Sequence, residues 1–385
     1  MGPGTEQPRT EPAARAEAVI DLAAIRGNVA SLAERAGDAG LMAVVKADAY
    51  GHGIVPSARA AIAGGADWLG VSHLEEGLRL RQAGITETPI LAWLAAPSER
   101  YAEGIAAGLD LAAYSGWQLR EIAESAGSVP ARVHLKVDTG LGRGGATAED
   151  WPELLDTALS AQAAGSVRVV GIWSHLACAD QPDHPSVRRQ LDAFTEALRF
   201  ADRVGLRPEV RHLANSAGLL TIPELATFDL VRPGIAIYGL SPVPALATSE
   251  QLGLTPAMTL RARLAQVKRV PAGTGVSYGH TYVTSDSSTL GLVPVGYADG
   301  VPRGLANIGP VLAAGRLRPI AGTVCMDQFV LDLGDDPTEA GDQVVLFGPG
   351  KDGEPTAQDW AEAAGTISYD IVCGIGSRVV RRHLG

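Results

Sequence analysis

Eight short apolar runs separated by amphipathic stretches constrain this chain more than any other feature. They fall at residues 41–45, 67–71, 89–93, 109–113, 132–137, 168–173, 209–213 and 228–232. Short, continuous apolar runs bounded by turn residues read as strands buried on both faces, and hence parallel. Between them, apolar residues recur at helical spacing over 54–63, 74–83, 117–126, 151–164 and 187–204. Eight strands, each followed by a helix, predict an α/β fold with a (β/α)8 barrel over residues 18–251. A doubly wound sheet is the structural alternative, but it usually needs fewer strands and a switch-point crevice.

After a Pro/Ser/Thr-containing connector at 242–256 the texture changes. Alternating segments at 260–270, 290–295 and 328–333 sit between Gly and Pro turns, and only 357–364 carries a helical pattern. A smaller β-rich domain over 252–385 is expected. Residues 1–17 are rich in Pro, Glu, Arg and Ala without an apolar stretch, and read as a loose tail rather than a signal peptide. At 385 residues and 46% hydrophobic, the chain has ample material for two cores. Its formal charge of −11 argues against nucleic acid or an anionic membrane as partner. No apolar run reaches spanning length. Cys178, Cys325 and Cys373 lie far apart. They suggest neither a disulfide framework nor a metal site, and fit a reducing cytoplasm.

In such a barrel, catalytic groups collect at the carboxyl ends of strands. The run Leu41-Met-Ala-Val-Val ends at Lys46, and a Gly-rich turn containing Tyr50 follows. An ammonium at the mouth of a packed strand must snorkel, pair or react, and a desolvated amine suits Schiff-base chemistry. Lys136 and Arg143 flank the turn after the fifth strand, and His175 follows the sixth. His212, Asn215 and Ser216 follow the seventh, and Arg232 with Gly234 follows the eighth. Singly, each reads as a satisfied polar residue or a surface ion pair; their joint placement favours function. A phosphate site also fits the loops after strands seven and eight, where Ser216 offers a hydroxyl and Gly234-Ile235 backbone N–H groups. Without a P-loop or GxGxxG pattern, a small phosphorylated cofactor is indicated rather than ATP or NAD.

Lys46-Ala-Asp-Ala-Tyr50-Gly-His-Gly53 closely resembles the pyridoxal-phosphate lysine motif of the alanine racemases. The likeness continues through the Lys136 to Arg143 turn, Ser174-His-Leu-Ala-Cys-Ala-Asp180, His212-Leu-Ala-Asn-Ser216 and Val231-Arg-Pro-Gly-Ile-Ala-Ile-Tyr-Gly239. Val276-Ser-Tyr-Gly-His280, Val295-Gly-Tyr-Ala-Asp-Gly300, Cys325-Met-Asp-Gln328 and Ile367-Ser-Tyr369 extend it over essentially all of residues 18–380. The resemblance implies that Lys46 holds pyridoxal 5'-phosphate as a Schiff base and serves the D-face proton. It implies that Tyr278 is the opposite-face base, reaching the partner subunit's cofactor in a homodimer. Arg232 matches the partner of the pyridine nitrogen, supported by His212, and Arg143 the residue at the cofactor's phenolic oxygen. Tyr50, Ser216, Gly234, Ile235 and Tyr369 match phosphate contacts, with His175 and Asn215 beside the cofactor. Met326 and Asp327 match the substrate-carboxylate loop, Tyr297 the access corridor, and Lys136 a lysine often carbamylated to brace the arginine. Asp48 stands where Asn is common, and Pro233 precedes the phosphate-binding glycine; neither removes a group the mechanism needs.

Racemisation removes Hα from one face of a flat carbanion and returns it to the other, so two bases must stand on opposite faces. Lysine and tyrosine suit this only if their high pKa values fall. Arg143, Arg232 and, if protonated, His175 would supply the positive charge. Arginine at the ring nitrogen keeps that nitrogen unprotonated and the ring a weaker electron sink. The implied function is interconversion of L- and D-alanine, supplying D-alanine for peptidoglycan. Alternatives are a racemase of serine or another small amino acid, and a non-catalytic pyridoxal-phosphate-binding barrel; the 252–385 segment argues against the latter. A fold-related decarboxylase would place an acid where Arg232 stands.

Overall fold

The computed structural model describes residues 14–385. Most of the expected tail, residues 1–13, lies outside the described residues; Ala16–Asp21 forms a strand. The chain divides into two units. One comprises Asp21–Ala257 with His383–Gly385, the other the described residues through Ile20 with Met258–Arg382.

All eight expected barrel strands are present: Gly40–Val44, Trp68–Val71, Ile90–Ala92, Asp110–Ala113, Ala131–Lys136, Val167–Trp173, Val210–Asn215 and Leu230–Arg232. They pair in parallel around a closed ring, the first meeting the eighth through Gly40↔Leu230 and Leu41↔Val231. Here the short apolar strands bury one face in the interior of the closed ring and the other under the helices outside it.

The expectation that a helix follows every strand fails at the eighth. After Leu230–Arg232 the chain makes only a 3-10 turn, Ile235–Tyr238. The vacant helical position is filled from the other end of the sequence by Leu22–Ala36. This helix packs against Ile235–Tyr238 and against Ile54–Ala63 and Ser216–Thr221, the helices after the first and seventh strands. Asp21 caps it by accepting from Ala24 N at 3.0 Å, and Ile25, Val29 and Leu32 give it a fully buried face. This helix is not among those expected from the sequence, and no local pattern names the slot it fills.

Asn28 locks that arrangement. Its buried amide donates to Ile237 O (3.2 Å) and Thr255 O (2.9 Å), and its oxygen accepts from Thr255 N (2.9 Å). Gly239 lies beside it with φ 82°, and a Cβ there would stand 1.8 Å from Thr255 O. Only glycine fits.

The second unit is built on a nine-stranded sheet that takes in the amino-terminal strand Ala16–Asp21 and Val380–Leu384 at one edge. Ala16–Asp21, absent from the sequence expectation, runs antiparallel to Met258–Arg263. The alternating stretch at 260–270 is two strands, Met258–Arg263 and Gln266–Val270, rather than one. Ala357–Ala364 is helical as expected, and Thr356 caps it. A second helix, Ser368–Cys373, is too short to read from periodicity.

Replacing Asn28 with Ala leaves three backbone groups unpaired, Ile237 O buried and Thr255 N and O half-buried. Urea unfolding should show about 2–3 kcal/mol lost; an unchanged midpoint would show that water or repacking satisfies those groups.

Candidate active site

The segment after Lys46 is the least ordinary backbone in the barrel. Ala47, Asp48, Ala49 and Tyr50 all have φ between 50° and 57°, one turn of left-handed helix. For L-residues that conformation costs about 1–2 kcal/mol each, so the surroundings must hold it. Glu76 does so with its carboxylate, accepting from Ala47 N at 2.6 Å while also binding Ser72 N and His73 N. Asp48 Oδ1 accepts from Ile54 N and from Arg79, both at 3.0 Å, a use of the aspartate at the position where the resemblance expected Asn. His52 Nδ1 lies 3.0 Å from Ala49 O and 2.9 Å from Tyr50 O. Its ring stacks on Tyr238, whose hydroxyl donates to Val44 O. The turn sets Lys46 at the barrel mouth, with Nζ 6.0 Å from the centre of the Trp93 ring.

The same turn carries Tyr50 to the end of the eighth strand. A Cβ on Gly234 would stand 2.3 Å from the Tyr50 hydroxyl oxygen, so glycine is required there. Ser216 Oγ accepts from Gly234 N at 2.8 Å and from Ala236 N at 3.4 Å. Asn215 spends its side chain on the helix start, accepting from Gly218 N, which fixes Ser216 beside it. One phenol, one hydroxyl and the backbone N–H groups of 234–236 therefore converge on a small polar cradle suited to a phosphate group.

Arg232 is buried at the end of its strand. Nη1 donates to His212 Nδ1 at 3.0 Å; Nη2 donates to Ser174 O (2.8 Å) and Leu213 O (3.1 Å) and faces His175 Nδ1 at 3.4 Å. Its guanidinium lies over the Trp173 ring, 5.0 Å from the centroid. Nε takes no acceptor among the described residues, so its N–H is available to a ligand. Burial pushes the Arg232 pKa down to about 9, still above neutrality, so the cation persists.

That cation decides the state of its neighbours. Burial and the charges of Arg232, Arg143, Lys136 and Lys46 hold the His175 pKa well below its usual value. His175 is therefore a neutral imidazole, so the condition set for its contribution is not met: it cannot help to depress a lysine or tyrosine pKa. His212 is likewise kept neutral by burial and by Arg232.

Lys136, at the end of the fifth strand, is buried beneath Arg143. Burial, then Arg143 and Arg232, lower its pKa from the usual 10.5 to about 8. Its Nζ lies 4.5 Å from the Trp173 ring centre and 5.2 Å from that of Tyr114. The turn carrying exposed Arg143 is closed by Asp138, which accepts from the N–H groups of Gly140, Leu141 and Gly142.

The barrel thus brings Lys46, Tyr50, Lys136, His175, His212, Ser216, Arg232 and Gly234 to its carboxyl end. Tyr278, Tyr297, Met326, Asp327 and Tyr369 belong to the other unit. There, Tyr297 N donates to Cys325 O and Ala298 N to Met326 O, both at 3.0 Å. A Cβ on Gly296 would stand 2.2 Å from Cys325 O, so the two loops touch at backbone distance. Arg378 clamps them, pairing with Asp299 at 2.9 Å and Asp327 at 2.8 Å. Tyr278 sits on a short 3-10 turn entered through Ser277 at φ 62°, and its side chain is 75% exposed. Tyr369 is half-buried on the short helix Ser368–Cys373. Among the described residues no cluster of His, Cys, Asp or Glu could hold a metal ion, and no helix is long and apolar enough to cross a membrane.

Sequence reasoning passed over Glu76, Asp138, Trp173, Asp299, Arg378, Asp110 and the ring of His134. For His134 a signal existed: it stands two residues before Lys136 on one strand, and alternate residues share a face.

Comparisons with known proteins bear on the family. Residues 20–242 match the alanine racemase N-terminal domain and residues 257–383 its C-terminal domain. An alanine racemase of Frankia casuarinae is 58% identical over 385 residues, covering 99% of this chain and all of the relative. One of Streptomyces coelicolor is 56% identical over 376 residues, 96% of each chain. The crystal structure of an alanine racemase from D-cycloserine-producing Streptomyces lavendulae superposes with a TM-score of 0.96 at 55% identity, covering 97% of this chain and 98% of that one. The crystal structure of an alanine racemase from E. faecalis still gives 0.89 at 35% identity, covering 96% of this chain and 98% of that one. With both domains matched along nearly the whole length, the chain belongs to the alanine racemase family.

Proposed function

We propose that this protein interconverts L- and D-alanine with pyridoxal 5'-phosphate as cofactor, by a two-base mechanism in a homodimer. The observation that carries the reading is the set of groups at the barrel's carboxyl end. A lysine held at a strand mouth, a small polar cradle suited to a phosphate and a buried arginine whose Nε–H is available match the three ends of that cofactor. When bound, the cofactor supplies an electron sink that acidifies the substrate Hα. Lys46 would anchor it and handle the proton on one face. Tyr50, Ser216, Gly234 and Ile235 would hold its phosphate, with Tyr369 as a further contact. Arg232 would donate from Nε to the ring nitrogen; a group that keeps its own proton leaves that nitrogen an acceptor. The neutral His175 and His212 support Arg232 rather than adding charge. Arg143 would face the phenolic oxygen and the substrate carboxylate.

The second base, Tyr278, would come from the partner subunit. Its side chain is 75% exposed, although hydrogen bonds from Ser277 to Thr323 O and from Thr323 to Tyr278 O pin the loop beneath it. An aromatic side chain held rigidly outward fits insertion into a second copy. Met326, Asp327 and Tyr297, drawn together by the Arg378 clamp, would line the substrate path from the same direction. The product, D-alanine, would serve peptidoglycan synthesis in the cytoplasm.

Borohydride reduction of the holoenzyme should yield one pyridoxyl peptide containing Lys46. Lys46→Ala should abolish it and lower racemisation by at least about 10³-fold, within the range for a lost general base plus anchor. A peptide mapping to any other lysine would overturn the assignment.

Sharing of sites predicts complementation. Lys46→Ala and Tyr278→Phe homodimers should each be nearly inactive, while subunit exchange creates heterodimers with one doubly damaged and one intact site. At random exchange, activity should return to roughly a quarter of wild type, because half the dimers are mixed and half their sites are whole. Exchange verified by mass without recovered activity refutes sharing.

Lys136 is expected to be carbamylated. With its pKa near 8, a useful fraction of neutral amine exists at physiological pH to attack CO2, and the resulting anion would lie between two arginines. A free amine would make folding less stable below about pH 8 than above 10.5, because the unfolded chain binds the extra proton in that window. Lys136→Met would then be stabilising at pH 7 and neutral in alkali. A carbamate reverses the sign at pH 7, so the Met variant should melt lower than the parent. Native mass spectrometry should show the parent heavier by one CO2; a plain lysine mass refutes this.

A further inference from the structure

Beneath the mouth, a file of polar side chains runs down through the barrel, where branched aliphatic layers are the rule. Arg232 Nη1 meets His212 Nδ1 at 3.0 Å, and His212 Nε2 meets His134 Nδ1 at 2.9 Å. His134 Nε2 meets Asp110 Oδ2 at 3.2 Å, and Asp110 Oδ1 meets Arg132 Nε at 2.6 Å. Both histidines and Asp110 are buried. Space is made for the file: a Cβ on Gly171 would stand 2.2 Å from His134 Nδ1. Trp173 stacks parallel to His212 at 5.6 Å, and Trp68 meets His134 edge-on at 5.4 Å.

The chemistry of the two ends fixes every proton between them. Arginine only donates, so His212 Nδ1 must accept. The one ring proton of neutral His212 is then on Nε2 and is donated to His134 Nδ1. His134 must therefore carry its own proton on Nε2, where it is donated to the Asp110 carboxylate. Burial alone would raise the Asp110 pKa, but His134 and Arg132 outweigh it and hold it below the usual range. An ionised acceptor thus ends the file. A half-satisfied buried network would be costly; this one is satisfied link by link in a single polarity.

We propose that His134 and Asp110 are positioning residues for Arg232. The Asp110 carboxylate, acting through two imidazoles, fixes His212 as the Nε2–H tautomer and so keeps a lone pair aimed at Arg232 Nη1. The guanidinium is held in one plane, with Nε left for the cofactor ring. The inference rests on the proposed role of Arg232 toward that ring, but the tautomers themselves do not depend on it.

Solid-state NMR of the holoenzyme carrying 15N-histidine tests the tautomers in the wild-type protein. Both His134 and His212 should show protonated Nε2 and bare Nδ1 at neutral pH; the Nδ1–H tautomer or an imidazolium at either ring overturns the proposal. Asp110→Asn tests the source. Arg132 grips Asp110 twice, Nε to Oδ1 at 2.6 Å and Nη2 to Oδ2 at 3.2 Å; the shorter contact claims the amide oxygen, so the amide NH2 takes the Oδ2 position and faces His134 Nε2. Both rings should then invert, setting a ring N–H against Arg232. The expected result is kcat lower by about 10–100-fold, as for other supporting residues behind a site, with KM for alanine changed less than about threefold. Inverted tautomers with unaltered kcat, or unaltered tautomers, refute the role of Asp110. If Asp110→Asn does not fold, the wild-type tautomers still decide the polarity, and His134→Gln, whose amide can bridge the same neighbours, should show the same kcat-selective loss; full activity there refutes the proposal. Failure of the wild-type protein to racemise alanine would sink the proposed function instead, leaving the tautomer result standing.

Discussion

A guanidinium buried inside a barrel is the constraint on which the rest of the site depends. Arg232 cannot shed its charge near neutrality, and a buried cation is tolerable only when surrounded by acceptors. Two backbone carbonyls, two imidazole nitrogens and the face of Trp173 provide them. Each provision has a consequence. The imidazoles must stay neutral, since a second charge beside the first would be repulsive in a medium of low dielectric. Lys136, under the same field, has its own proton loosened. The electrostatics of the mouth are those of a buried, fixed cation beside imidazoles held neutral, with the charges of Arg143 and Lys136 acting on the same groups.

The second organising device is strain. Four consecutive left-handed residues after Lys46 are costly for L-amino acids, and they persist because Glu76, Asp48 and His52 satisfy the backbone groups the turn exposes. Strain concentrated where the surroundings over-determine it is a recurring property of functional sites. Here the tight winding places an amine and a phenol from the same short segment on different sides of the barrel mouth, with the phenol against Gly234.

In the other unit, the loops of Tyr297 and Met326 are positioned by ion pairs rather than by backbone winding. Asp299, buried, is held by Arg15 and Arg378, and Arg378 reaches on to Asp327. The partner of a buried carboxylate is far from optional: removing one member leaves an uncompensated charge. The loops of Tyr297 and Met326 are thereby kept at backbone contact while their side chains remain exposed.

The sequence by itself determined the eight barrel strands, because parallel strands buried on both faces must be nearly continuous apolar runs. It also determined which polar residues stand at their carboxyl ends, since position after a run is a local property. The resemblance named their roles, and the matched domains bear out the family. Three things only the tertiary structure decided. Leu22–Ala36 fills the eighth helical position, because closure of the ring fixes which slot is vacant and no local pattern encodes it. The charge of His175 is left open by the sequence, because an imidazole pKa is set by burial and by cations brought from other strands. The file from Arg232 to Asp110 was invisible, because its members come from strands separated by up to 122 residues in sequence (Asp110 to Arg232) and meet only inside the closed barrel. Local spacing can say what a residue is and which face it takes, but which proton it holds depends on neighbours that only the fold supplies.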